Sequence, residues 1–72
     1  MAKIYTVLIE QDEDGIFIGK VPELKGCATQ GRTIDELMEN VKEAISLYLE
    51  VNGNKDNFPK LKFVGLQQVE VI

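Results

Sequence analysis

The sequence predicts an α+β domain of element order β-β-β-α-β, and three observations predict it. The first thirty or so residues alternate short β-branched and aromatic runs with Gly and Pro. From Ile34 the apolar spacing changes to three and four residues, the period of a helix. After a polar loop, residues 61–72 return to a Val, Leu and Ile-rich pattern. The expected architecture is a three-stranded antiparallel meander, a fourth strand, and one helix packed on one sheet face.

Each element has its own signal. Residues 4–9 are a first strand, and Asp14-Gly15 closes a tight turn because Gly supplies positive φ. Residues 16–21 form a second strand that Pro22 ends, since Pro has no N–H to give a ladder. Gly26 and Gly31 bracket a third at residues 27–30. Thr33 with Glu36 three residues on makes a capping box. The helix it opens carries Ile34, Leu37, Met38, Val41, Ala44, Ile45 and Tyr48 on one stripe, and it stops near residue 51 because Asn52-Gly53 suits a left-handed cap. Residues 54–59 read as loop, and residues 61–72 as a long strand with Gly65 as a bulge.

At 72 residues the chain is expected to be a single domain, one that buries only about 60% of its unfolded surface. One Cys and no His exclude an internal disulfide and the usual zinc ligand sets. No signal peptide and no membrane-length apolar run are evident, so a cytoplasmic protein is expected. A net charge of −4 with scattered Lys and Arg argues against a phosphate-tracking surface and favours a basic protein partner, or solubility alone. The first and last strands are apolar at both parities, which one helix cannot cover, so self-association through the second sheet face or an edge is expected.

No catalytic constellation emerges, and no enzyme activity, metal or cofactor is expected. Glu10, Asp12, Glu13 and Asp14 could attract a hard cation, but Ile16 and Phe17 stand where a calcium loop needs an oxygen ligand and a Gly. Cys27 lacks a His to activate it and is expected to be buried. Tyr5, Phe17, Tyr48, Phe58 and Phe63 are assigned to packing rather than to base stacking, given the acidic balance. The partner surface is placed on the acidic hairpin, Asp12, Glu13 and Asp14, and on Pro22, Glu23 and Leu24 as an exposed segment.

Over nearly the first fifty residues the chain resembles the HicB-like antitoxins, domains with a partial ribonuclease H fold. The resemblance lies in residues 5–10, Asp14-Gly15, Pro22-Glu23-Leu24, Gly26-Cys27, Thr29, Gly31, Thr33 and Glu36. Lys25, where the family commonly has Pro, Arg32, where it has an acidic residue, and Leu37, where Ala is usual nearby, depart from it. The resemblance implies a protein that binds a HicA-type toxin, a small basic messenger-RNA endonuclease, and covers its active surface. Family members often add a C-terminal DNA-binding domain; this chain is expected to lack one and not to bind DNA. The likeness to ribonuclease H imports no activity, since the first strand offers no carboxylate set for two metals. The competing reading is a stand-alone RNA-binding or regulatory domain.

Overall fold

The computed structural model describes residues 3–52 and 61–72. Strand β1 (Leu8–Gln11) pairs antiparallel with β2 (Phe17–Lys20), and β2 with β3 (Ala28–Gly31), so the sheet order follows the chain. Helix α1 (Ile34–Asn52) then lies over β3 and β2. This is the expected α+β meander with one helix on one sheet face.

Two expectations change for physical reasons. β1 begins at Leu8 rather than residue 4, because its partner β2 ends at Lys20 and Pro22 has no N–H with which to extend the ladder. The Thr6 N–H goes instead to the Glu23 carboxylate, at 3.1 and 2.9 Å from its two oxygens. The larger correction concerns residues 61–72, which form no strand within the chain. Leu61 N–H donates to the Glu23 carbonyl at 3.4 Å, and beyond it Val64, Leu66, Val69 and Val71 stand 65–89% exposed. A strand exists only with a ladder partner, and these residues have none among the described residues.

Hydrogen bonding fixes which way each strand faces. Asp12 N–H donates to the Ile16 carbonyl at 2.9 Å, and Thr6 N–H also points inward, to Glu23. Even-numbered residues of β1 therefore aim their backbone groups at β2, and alternation turns those of Val7, Ile9 and Gln11 outward. On the far side Val21 N–H donates to the Cys27 carbonyl at 3.0 Å, so the even residues of β3 face out. Of these, the Gln30 carbonyl accepts from Asn40 Nδ2 of α1 at 2.8 Å. The helix thus blunts the β3 edge, and among the described residues that of β1 is open.

The core lies between α1 and the odd-numbered side of the sheet. Leu37 and Val41, one helical turn apart, are buried among Val21, Leu24 and Cys27, with Tyr5, Val7, Phe17 and Ile45 packed around them. Gly31 lets the helix start close to the sheet, since a Cβ there would sit 2.6 Å from the Leu37 backbone nitrogen. The capping box forms in a shifted version. Glu36 N–H donates to Thr33 Oγ1 at 3.0 Å, while the Glu36 carboxylate reaches one residue further back, to the Arg32 N–H at 3.0 Å. At the other end Asn52 Nδ2 donates to the Tyr48 carbonyl at 3.0 Å. Gly53 and the loop expected at residues 54–59 lie outside the described residues.

Candidate partner-binding surface

The hairpin between β1 and β2 is shaped by one of the acidic residues assigned to binding. Asp12 Oδ1 accepts from the N–H groups of Asp14 and Ile16, both at 2.9 Å, an Asx turn that folds the loop over itself. Gly15 takes the expected positive φ, +84°. Asp12 is therefore first a structural acceptor, whereas Glu13 and Asp14 stand exposed with their carboxylates free to meet solvent or a partner.

The second proposed patch sits at the other end of β2, so the structure does not join the two. Two consecutive turns build it: Leu24 N–H donates to the Val21 carbonyl at 3.1 Å, and Cys27 N–H to the Leu24 carbonyl at 2.9 Å. The second turn has Lys25 at its first central position and Gly26, φ +81°, at its next, the type II pattern. These turns roll Leu24 inward to 5% exposure, so the expectation that Pro22, Glu23 and Leu24 form an exposed segment is corrected. Pro22 is half-buried, and the Glu23 carboxylate is occupied by Thr6. Burial raises the Glu23 pKa, but hydrogen bonds from the Thr6 hydroxyl, its own N–H and the Thr6 N–H outweigh that, so the net shift is downward.

Cys27 is buried and free, and burial pushes its thiol pKa up, away from the thiolate a nucleophile requires. Tyr5, Phe17 and Tyr48 pack against the core. Among the described residues no three His, Cys, Asp or Glu side chains are placed to hold a metal ion, and no helix is long and apolar enough to cross a membrane.

A surface that the sequence reading passed over runs along α1. The helix holds five of the chain's twelve acidic residues and one of its eight basic ones, so the rest of the chain carries seven of each. Asp35, Glu36, Glu39, Glu43 and Glu50 are all exposed. Beside them, where α1 overhangs β3, a shallow trough is lined by Ala28, Ala44, Leu47, Tyr48 and Val51, of which Leu47 and Val51 are 53% and 73% exposed. Leu47 and Val51 lie one turn apart and outside the core stripe, in line with Glu39 and Glu43. That i, i+4 row of two acids and two aliphatics was the signal in the sequence. An apolar floor with an acidic border suits a basic protein surface: burial supplies affinity and opposite charge speeds encounter.

Comparison with known proteins agrees with this picture of a binding domain. The HicB-like antitoxin of bacterial toxin–antitoxin systems matches residues 5–69. A UPF0150 protein of Archaeoglobus fulgidus is 55% identical over 67 residues, 93% of either chain. One from Synechocystis is 52% identical over the same length and share. A third, from Thermotoga maritima, is 39% identical over 70 residues, 96% of this chain and 91% of the relative. The chain belongs to the HicB-like antitoxin family.

Proposed function

We propose that this protein neutralises a HicA-type messenger-RNA endonuclease by covering its active surface, with no reaction of its own. Family membership over residues 5–69 carries the reading. The acidic flank of α1, with Leu47 and Val51 at its centre, is the surface assigned to the toxin, and Glu13 and Asp14 of the hairpin are a secondary contact. Pro22, Glu23 and Leu24 act behind it as framework. The place of action is the cytoplasm, where a messenger-RNA endonuclease finds its substrate. Self-association through a sheet edge belongs to the same reading, because the outward backbone groups of β1 have no ladder partner among the described residues.

Co-expression with a HicA-type toxin tests the proposal. Growth is restored by the natural chain and lost when Leu47→Asp is combined with Glu43→Lys, both of which lie on the exposed flank and leave the core intact. Purified protein that neither binds such a toxin nor protects RNA from it removes the antitoxin reading; RNA bound by the protein alone favours the regulatory-domain alternative.

A further inference from the structure

Residues 61–72 are built like a strand and join none among the described residues. They carry Leu61, Phe63, Val69 and Val71 at one parity and Val64, Leu66 and Ile72 at the other, with a single Lys and a single Glu. Leu66 is 65% exposed, and Val64, Val69 and Val71 are 82–89% exposed. The radius of gyration is 13.8 Å, against about 11 Å for a compact chain of this length, and the longest dimension is 41 Å. The family match runs through residue 69, so this segment is part of the shared domain rather than an appendage.

The sheet offers one place for it. The β3 edge is guarded by Asn40 on the Gln30 carbonyl and by the overhanging helix. The β1 edge presents the outward N–H and C=O groups of Val7, Ile9 and Gln11, with no Pro or inward charge to discourage pairing. Flanking it are a groove floored by Tyr5, Val7, Met38 and Ile45, and Ile4 and Ile9 at 93% and 45% exposure. The sheet face opposite α1 is the weaker candidate, because Leu8, Ile18 and Ala28 there are interleaved with Gln30 and the Glu10–Lys20 ion pair at 2.9 Å.

We infer that two copies of this chain exchange residues 61–72, each adding its segment as a fourth strand along the β1 edge of the other. Within one chain the segment starts at the head of its own β1, held by the Leu61 to Glu23 link, and then departs from the sheet instead of following it. Reciprocal exchange pairs both open edges and covers both apolar segments in one closed, two-fold contact. The occupant is a second copy rather than the basic toxin because the segment is electrically neutral and apolar at both parities, the composition of a homodimer core. The apolar residues of both parities in the first and last strands find their explanation here, at an edge, and not on the open face.

Sedimentation equilibrium of the full chain, without toxin, is expected to give twice the 8.1 kDa chain mass. Val64→Pro and Val69→Pro remove N–H donors of opposite parity, so at least one interrupts the new ladder and raises the dimer dissociation constant roughly tenfold or more. Both positions are exposed in the single chain, so the core stays packed and the helical circular-dichroism signal is retained, while the strand signal of the dimer falls. Hydrogen exchange on the unmodified dimer protects the Val7 and Ile9 amides together with alternate amides of residues 62–72. A monomer across micromolar concentrations, even one with a protected segment, overturns the exchange. So does a dimer indifferent to both prolines, a dimer whose Val7 and Ile9 amides exchange freely, or protection that arises only when toxin is added.

Discussion

Glu23 sets where the first strand can begin. With both carboxylate oxygens on the Thr6 N–H, it satisfies a donor that the ladder cannot reach past Pro22. Its pKa is lowered in the fold, so its contribution to stability is present above the unfolded glutamate value of about 4.3 and is lost as pH falls through the lower folded value. Glu23→Gln is expected to cost about 1 kcal/mol at neutral pH, below the usual range for a hydrogen bond to a charged group because solvent reaches the carboxylate, and to flatten the acid side of the stability profile. Urea unfolding at neutral and acid pH measures both. Two residues on, Lys25 precedes a Gly at φ +81° in the position where a type II turn favours Pro. Lys25→Pro should raise stability by about 0.5–1 kcal/mol by restricting the unfolded chain. A drop in the urea midpoint would show that the Lys25 N–H or φ does not tolerate it. None of the Glu23 role was legible in the sequence, because it depends on a contact across seventeen positions.

At the level of elements, the sheet-to-helix switch is the most constrained join. Gly31→Ala places a methyl group 2.6 Å from the Leu37 nitrogen, backbone that cannot rotate away, and is expected to cost about 3 kcal/mol. Thr33→Ala removes the acceptor for the Glu36 N–H and should cost about 1 kcal/mol. Thermal unfolding ranks the two, and a Thr33→Ala loss exceeding that of Gly31→Ala would contradict the close approach. The helix and its start were legible because caps and period act within a few residues. The existence of the first three strands was legible too, from β-branched runs and the punctuation of Pro22, Gly26 and Gly31. Strand ends were less so, since β1 is cut short by the length of β2, and the expected last strand does not form because it has no partner among the described residues. Both are properties of pairing, which no local pattern records.

Over the whole molecule, partner surfaces follow from what the fold leaves uncovered. The acidic hairpin was readable as an exposed turn, but Leu24 was placed outside because the two turns that roll it inward depend on backbone bonds to Val21 and Cys27. The α1 flank was missed because attention to the core stripe hides residues in the adjoining row. If toxin docks there, Glu39→Lys with Glu43→Lys should slow association with a basic toxin roughly tenfold at low salt and less at high salt, with dissociation little changed. Stopped-flow mixing at two ionic strengths reads this directly; equal rates for the natural chain and the variant would take the flank out of the encounter.

The placement of all the net charge on one helix has a consequence for how the molecule arrives. A body whose sheet layer, residues 3–33, has five acids nearly balanced by four bases, and whose helix carries five acids against one base, is an electric dipole as well as a net anion. In the field of a cationic protein it feels a torque as well as a pull, and it turns helix-first before contact. The β1 edge then lies to the side of the approach, since α1 covers a face of the sheet and not that edge. One encounter can therefore leave a second chain on that edge undisturbed, and the two kinds of association need not compete for the same side.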